Sequence, residues 1–180
     1  MGKIFITSDP HFGHQREFIY KPRGFESSFE HDEAIIKRWN SVVNPEDEVY
    51  VLGDIMLGNN VYGLKCLKSL KGKLHIIFGN HDTDTRKQMY SKCYNVVDYA
   101  YANLITFNKW KFFLSHYPTL TANNDDGKPI SKKVINLCGH IHTKDPFYDW
   151  ERGLIYHCEM DAHNCTPILL EDIIEDIKKR

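Results

Sequence analysis

Short apolar runs that end in polar residues recur along the chain and predict buried strands. Runs of strand length, rich in β-branched or aromatic residues, occupy 3–7, 48–52, 73–78, 110–114, 134–138 and 153–159. Residues 104–107 form a further run. Because only Asn108 and Lys109 separate it from the run at 110–114, the two runs predict an antiparallel hairpin.

The segments between these runs have the spacing of amphipathic helices. In residues 27–43, Ile35 and Trp39 lie four positions apart on one predicted face, and Ser27 with Glu30 predicts a capping box. Further helices are predicted over 60–70, over 84–94 and from about residue 171, and the polar stretch 121–133 is predicted to be a loop. Strands that alternate with helices in this way indicate a layered α/β fold.

Length and composition are those of one ordinary globular domain. The chain has 180 residues, of which 42% are hydrophobic and 26% are charged. This is long enough for one buried core and too short for two ordinary domains, so residues 1–180 are predicted to form a single domain. The formal net charge of −1 excludes a global field that would attract nucleic acid or a membrane, and leaves a local patch open.

The sequence predicts neither a membrane span nor a secretory segment. No apolar run approaches the roughly 18 residues needed to cross a bilayer, and Met1 leads into the first predicted strand without a signal-peptide pattern. The five cysteines are widely spaced and form no C-x-x-C pair, so we expect reduced, mostly buried thiols. We therefore expect a cytoplasmic protein that does not bind membranes.

Residues able to bind metals follow five of the predicted strands. These residues are Asp9, His11, Asp54, Asn80, His116, His140 and His142. In layered α/β folds the carboxyl ends of strands face a common crevice, so we expect the seven side chains to converge. They are too many for one ordinary cation, and a carboxylate shared by two cations roughly 3.5–4 Å apart is the arrangement of two-metal phosphatases.

Five motifs in a fixed order give a specific resemblance to a known family. The motifs are Asp9-x-His11, Gly53-Asp54, Gly79-Asn80-His81-Asp82, His116 and Gly139-His140-x-His142. Their order over residues 9–142 resembles the blocks of the calcineurin-like metallophosphoesterases, and residues 8–14, 44–50 and 161–164 resemble a small bacterial and phage subgroup. The resemblance implies a four-layer α/β fold, a sandwich of two mixed β-sheets flanked by helices.

The resemblance also implies a role for each motif residue. One metal would be held by Asp9, His11 and His142, the other by Asn80, His116 and His140, and Asp54 would bridge both. His81 resembles the histidine that protonates the leaving oxygen, a task that suits an imidazole because its ordinary pKa is close to neutral pH. Asp82 is a second catalytic candidate, which either orients His81 or caps the turn.

The implied activity is hydrolysis of a phosphate monoester or diester by a hydroxide bound between two metals. Mixed imidazole and carboxylate ligands suit Mn, Fe, Ni or Zn better than Ca, with Mn as the first choice. We expect a small phosphorylated substrate such as a nucleotide; a nucleic-acid end and the oligomeric state stay open. The residues after Asp54 lack the Asp and Arg of protein Ser/Thr phosphatases, which disfavours that class.

The alternative function is a non-catalytic, metal-binding interaction scaffold of the same fold. A scaffold has no need for a leaving-group acid, so the presence of His81 favours the enzyme.

Several polar residues near the motifs have two interpretations. His14, Asp161 and His163 either hold ligand histidines or catalytic water, or form structural hydrogen bonds. Arg16, Lys21 and Arg23 either bind a substrate phosphate or lie in a solvated surface turn, and we favour the turn. His31, His75 and His157 match no motif and are expected to be structural or surface residues.

Overall fold

Two mixed β-sheets form the centre of the computed structural model, which describes residues 2–123 and 127–180. The first sheet contains β1 (Ile4–Thr7), β2 (Glu48–Val51), β3 (Lys73–Ile77), β4 (Val96–Ala100) and β9 (Ile168–Leu169) in the order β4-β3-β2-β1-β9. Strands β1 to β4 are parallel, and β9 is antiparallel to β1.

The second sheet contains β5 (Ala102–Phe107), β6 (Trp110–Ser115), β7 (Val134–Cys138) and β8 (Ile155–His157) in chain order. The predicted hairpin of β5 and β6 is antiparallel and pairs Phe107 with Trp110, while β6, β7 and β8 are parallel. The predicted fold class, an α/β sandwich of two mixed sheets flanked by helices, is confirmed.

The helices are α1 (Glu17–Tyr20), α2 (Ser28–Val42), α3 (Asn60–Lys68), α4 (Asp84–Tyr90), α5 (Trp150–Gly153) and α6 (Leu170–Lys179). Ser27 caps α2 because its Oγ accepts a hydrogen bond from the Glu30 amide at 3.1 Å. The Glu30 carboxylate instead accepts from the Glu26 amide at 2.9 Å, so that half of the predicted capping box is wrong. Within the described residues, no helix is both long and apolar enough to cross a membrane.

Side-chain alternation along the central strands separates two hydrophobic cores. Phe5 of β1 packs in a core that includes Ile35 and Trp39 of α2. Its neighbour Ile6 faces a second core, which contains inward side chains of β6, β7 and α6. The central strands are thus buried on both faces, as is typical of parallel sheets.

The structure differs from the sequence predictions at the sheet edges and in the short helices. The predicted helix 84–94 ends at Tyr90, and the edge strand β4, the two-residue strand β9 and the four-residue helices α1 and α5 were not predicted. Of the predicted loop 121–133, residues 124–126 lie outside the described residues, and Ile130–Lys132 forms a 3-10 turn. All five cysteines are free and buried, as predicted.

Candidate metal centre

The seven predicted ligands lie beyond the carboxyl ends of five strands and face one another. Asp9 and His11 follow β1, Asp54 follows β2, Asn80 follows β3, His116 follows β6, and His140 and His142 follow β7. The contacts among them divide the ligands into two groups with Asp54 between them. We call Asp9, His11 and His142 half-site A, and Asn80, His116 and His140 half-site B.

Half-site A brings three ligand atoms close together. Nε2 of His11 lies 3.2 Å from Nε2 of His142 and 3.6 Å from Oδ1 of Asp9, which is 3.9 Å from Nε2 of His142. Nδ1 of His142 lies 2.9 Å from Oδ2 of Asp161 and therefore carries the proton. In the neutral ring, Nε2 of His142 then presents a lone pair to its neighbours.

Half-site B also brings three ligand atoms close together. Nε2 of His116 lies 2.9 Å from Oδ1 of Asn80 and 3.1 Å from Nδ1 of His140. Nδ1 of His116 donates to the carbonyl oxygen of Leu52 at 2.8 Å, so Nε2 of His116 is the ring atom with the free lone pair. Ligand atoms from three residues therefore face one another at the end of β6.

Asp54 lies between the two half-sites. Its Oδ2 is 3.9 Å from Nε2 of His11 in half-site A and 3.6 Å from Nε2 of His116 in half-site B. Asp9 and Asp54 also lie with His116 in a group whose ligand atoms are all within 4.8 Å of one another. Both carboxylates consequently reach the space between the half-sites.

The chemistry of the donor atoms fits divalent cations. Ligand atoms about 2.1 Å from a tetrahedral or octahedral ion lie roughly 3.0–3.4 Å from one another, close to the shorter separations found in both half-sites. Oδ1 of Asp9 is buried and accepts no hydrogen bond from the described residues. A buried carboxylate oxygen that accepts no hydrogen bond is unfavourable without a cation. We therefore assign metal-binding capacity to this cluster.

Most ligand residues have strained backbones. The left-handed region is occupied by Asp9 (φ 58°), His11 (51°), Asp54 (53°), His140 (81°) and His142 (56°). Each such residue costs about 1 kcal/mol or more, and such strain persists only where the surroundings enforce it. Main-chain hydrogen bonds from Asp9 to Gly53 and from His11 to Asp54 join the two strand-end loops and hold them in this conformation.

Two glycines allow the loops to approach closely. Gly53 adopts a φ of +91°, which lets β2 turn sharply before Asp54. A Cβ atom on Gly139 would collide with Oγ of Ser8 and Oδ2 of Asp9. Without it, the amide of His140 can donate to Oδ2 of Asp9 at 2.9 Å, which ties the β7 loop to the β1 loop.

Burial and neighbouring charges shift the pKa values of the ligands. Burial lowers the pKa of His11 to about 4, against the opposing effect of Asp9. Burial, together with the Asp9 charge, raises the pKa of Asp54 to about 6. Burial opposes ionisation of Asp9, but the nearby histidines, His11 foremost, hold the Asp9 pKa well below its ordinary value. Asp9 is thus the permanent anion of the centre.

A buried polar network lies behind half-site A. Nε and Nη2 of Arg23 donate to Oδ1 and Oδ2 of Asp161 at 3.1 and 2.6 Å, and Nη2 also donates to the Asp9 carbonyl at 2.9 Å. Nη1 of Arg23 lies 2.9 Å from Nε2 of His31, whose Nδ1 is 2.8 Å from Oδ1 of Asp32. We call Arg23, His31, Asp32 and Asp161 the outer network.

The outer network corrects the predicted position of Arg23 and distinguishes the roles of Asp161 and His163. The Arg23 side chain is 1% exposed, so its assignment to a solvated surface turn is wrong, because Asp161 and the Asp9 carbonyl bind its guanidinium. Burial opposes the ionisation of Asp161, but its bonds to His142 and Arg23 hold the Asp161 pKa well below the ordinary value. Asp161 thus contacts a predicted ligand, whereas His163 lies 2.9 Å from the His157 carbonyl oxygen, a structural contact.

Asp82 binds the main chain of two ligand loops. Its carboxylate accepts from the amides of Asp54 at 2.9 Å, Gly79 at 2.8 Å and Ile55 at 3.3 Å, and from the buried hydroxyl of Tyr90 at 2.7 Å. These contacts give Asp82 a positioning role at the ends of β2 and β3. The sequence offered no local signal for Tyr90, which lies eight residues further on.

His81 lies at the edge of the cluster. Its side chain is 42% exposed, and its Nε2 is 3.9 Å from Oδ2 of Asp54. The His81 amide donates to Oδ1 of Asp54 at 2.8 Å, which fixes its main chain beside the central carboxylate. The His81 imidazole is thus open to solvent beside the central carboxylate.

A cleft of about 620 Å³ gives access to the centre. Besides His81 and most of the predicted ligands, its lining includes His14, Arg16, Phe18 and Leu57. The His14 ring is in edge contact with His11 and Phe18, and Nδ1 of His14 accepts from the Arg16 amide at 3.1 Å. Arg16 is exposed at this rim, whereas the exposed Lys21 pairs with Glu17.

Comparisons with known proteins agree with the fold and the motifs. An uncharacterized protein of Methanocaldococcus jannaschii is 32% identical over 186 residues, covering 99% of this chain and 93% of that protein. The gene 66 protein of Mycobacterium phage D29 is 27% identical over 202 residues, covering 99% of each. The crystal structure of a protein of unknown function from Aquifex aeolicus has the same fold, with a TM-score of 0.75 at 21% identity over 97% of this chain and 99% of that chain.

The sequence profile of the calcineurin-like phosphoesterase superfamily domain matches residues 3–156, which include all five motifs. This match confirms the resemblance found in the sequence and supports a metal-dependent phosphoesterase in general terms. The chain belongs to the calcineurin-like phosphoesterase superfamily.

Proposed function

We propose that the chain hydrolyses a phosphate ester with two divalent cations, one in half-site A and one in half-site B, bridged by Asp54. The observation that carries the proposal is the position of Asp54, whose Oδ2 lies between Nε2 of His11 at 3.9 Å and Nε2 of His116 at 3.6 Å. Mn is the first choice for both ions, with Fe, Ni or Zn as alternatives, because imidazoles and carboxylates suit these metals. When bound, the ions would supply an acidified water as nucleophile and neutralise charge on the phosphoryl oxygens.

The residues of the chain would perform the remaining tasks. His81 donates a proton to the oxygen of the departing group, since it is half-exposed in the cleft and its amide is bonded to Asp54. Asp82 positions the loops that carry Asp54 and His81 through its main-chain bonds. Arg16 at the cleft rim binds the phosphate of a small phosphorylated substrate of the nucleotide kind.

The first experiment tests the dependence of hydrolysis on the metals and on Asp54. Metal-stripped protein is given Mn, Ni or Zn and assayed with p-nitrophenyl phosphate and bis-p-nitrophenyl phosphate. The stripped protein is expected to be inactive and Mn to restore turnover, whereas Asp54→Asn is expected to lose turnover with each metal. If no metal restores hydrolysis of either ester and a purified protein binds instead, the scaffold alternative is correct.

A second experiment distinguishes an acid role of His81 from a purely structural role. A proton donor matters most when the leaving group is a poor one, so His81→Ala should lower kcat by about 10²–10⁴-fold with an alkyl leaving group. The loss should be much smaller with p-nitrophenolate, which departs readily without a proton. An equal loss with both leaving groups would contradict the acid role and indicate a damaged site.

A further inference from the structure

A second cleft adjoins the metal centre through half-site B. Its volume is about 750 Å³, within the roughly 300–1,000 Å³ of typical small-molecule sites. Tyr117, Leu120, Ile141, Tyr148 and Arg152 contribute to its lining. We call this space the tyrosine cleft, after the two tyrosines among these residues.

The tyrosine cleft is directly connected to predicted ligands. Tyr117 follows His116 in the chain, and its ring centroid lies 5.0 Å from that of His116 and 4.7 Å from that of His140. Ile141 lies between His140 and His142. A group attached to a phosphate at the centre therefore reaches this cleft through only a few bonds.

The walls of the cleft suit a planar aromatic group. Tyr117 is 49% exposed, Tyr148 is 58% exposed, and the aliphatic side chains of Leu120 and Ile141 are exposed beside them. Apolar side chains grouped in this way at a cleft mark a binding site more often than scattered ones do. Tyrosine rings stack on nucleobases and other flat rings without needing a particular hydrogen-bond pattern.

The charged residues of the cleft are compatible with a neutral or anionic ligand. Arg152 is the one cation among the described lining residues, and its side chain is 72% exposed, with the guanidinium 5.9 Å from the Tyr148 ring centroid. The Asp149 carboxylate contacts Nη1 of Arg152 at 2.8 Å and Nε2 of the buried His157 at 3.0 Å. These two partners offset its negative charge.

We propose that the tyrosine cleft binds an aromatic group, of the nucleobase kind, on the ester arm that stays attached to phosphorus. The proposal rests on the proposed function and makes nucleoside or aryl phosphodiesters the preferred substrates. One water is consumed: its oxygen forms a new bond to phosphorus and its proton is released to solvent, the P–O bond to the leaving arm breaks, and His81 supplies the proton of the departing alcohol and regains one from solvent. The product is a monoester whose aromatic group occupies the cleft.

Two diesters with the same leaving group show how much the retained ester group contributes to binding. Bis-p-nitrophenyl phosphate retains an aryl group after hydrolysis, and methyl p-nitrophenyl phosphate retains a methyl group. In the Mn-loaded protein, Tyr148→Ala should raise KM about fivefold for the aryl diester and leave KM for the methyl diester unchanged. Tyr148→Phe, which keeps the ring, should behave as the parent protein. Tyr94→Ala is the matched control, because Tyr94 is 79% exposed and is not among the residues lining either cleft.

Calorimetry supplies a second measurement that does not depend on turnover. AMP, which has the form of the expected product, should bind the Mn-loaded protein more tightly than inorganic phosphate does. Tyr148→Ala should weaken AMP about fivefold without changing phosphate. Equal effects on the two diesters, or AMP no tighter than phosphate, would overturn the assignment of the cleft. If neither the diesters nor p-nitrophenyl phosphate is hydrolysed, the proposed function fails, while the AMP comparison still decides whether the cleft binds a nucleobase. If only p-nitrophenyl phosphate is hydrolysed, the proposed function holds and the preference for diesters is wrong.

Discussion

Half-sites A and B contain similar ligands but differ in what lies behind them. In half-site A, Asp9 and His11 are almost completely buried, and His142 is bonded to the side chain of Asp161. In half-site B, Asn80 is exposed and His140 is half-buried, while His116 is bonded to the main-chain carbonyl of Leu52. Half-site A thus depends on the side chain of Asp161, and half-site B depends on the main chain of Leu52 at the end of β2.

This difference has a consequence for metal binding. Ligands that are buried and oriented by other side chains lose little freedom when a cation arrives, so a preorganised site binds more tightly. Exposed ligands adapt to different ions and release them more readily. We therefore expect half-site A to retain the first cation and half-site B to exchange the second.

The largest expected effect comes from breaking the outer network. Asp161→Asn leaves the Arg23 guanidinium, 1% exposed, without its carboxylate partner. Removal of one partner from a buried ion pair costs about 3–5 kcal/mol, because the other charge stays desolvated. Denaturant unfolding of the metal-free protein should show this loss. Glu175→Gln, which breaks the exposed pair with Lys178, is the control and should leave the unfolding midpoint unchanged.

A double variant and a pH series sharpen this test. Arg23→Met combined with Asp161→Leu removes both charges and should recover much of the lost stability. Bonds to His142 and Arg23 outweigh burial and lower the folded pKa of Asp161 below its ordinary 3.8. The stabilisation that ionised Asp161 gives to the folded protein is therefore fully present above pH 3.8. It disappears as the pH falls through the lower pKa that Asp161 has in the folded protein. A stability gap to Asp161→Asn that stays constant through this acid range would contradict the ion pair.

The second expected effect concerns the metals themselves. Asp161→Asn also replaces the charged acceptor that orients His142 with a neutral amide, and loss of such a charged support weakens metal binding by about 10–100-fold. In a calorimetric titration with Mn, the first and tighter binding step, which we assign to half-site A, should become weaker. The second and weaker step should not change. The double variant should recover stability without recovering this affinity.

A similar carboxylate elsewhere in the chain provides the control for the metal titration. Asp149 is bonded to Nε2 of His157 at 3.0 Å, and His157 is not a predicted ligand. Asp149→Asn should therefore leave both binding steps unchanged. Weakening of both steps by Asp161→Asn would show that the half-sites are not independently supported.

The ligands of both half-sites could be predicted from the sequence because their pattern is local. Each ligand follows an apolar run within four residues, and parallel strands bring such ends to one edge of a sheet. The left-handed backbones of Asp9, His11 and Asp54 could not be predicted, because Asp and His adopt that conformation more often than most residue types but still only in a minority of positions. Only the contacts between loops enforce it.

The outer network could not be predicted because its partners are far apart in the chain. Arg23 stands between Pro22 and Gly24, which is typical of an exposed turn, and its carboxylate partner is 138 residues away. His31 is one of ten histidines in the chain. The spacing of apolar residues in α2 gives no sign that His31 contacts Arg23. Likewise β4 was missed because residues 97–99 are all exposed and show no alternation.

The smallest expected effect tests the main-chain support of half-site B. Tyr90→Phe removes the buried hydroxyl that donates to Asp82 at 2.7 Å, and Asp82 holds the amides of Asp54 and Gly79. Loss of this hydrogen bond should cost about 1 kcal/mol of unfolding free energy. Looser loops should weaken both Mn-binding steps, because Asp54 is shared, and should weaken the second step a few-fold more, because the loop of Gly79 also carries Asn80. Tyr156→Phe removes a comparable hydroxyl bond, to Asp176 at 3.2 Å, and should lower stability without changing either step. An unchanged second step in Tyr90→Phe would mean that Asp82 holds the loops without help from Tyr90.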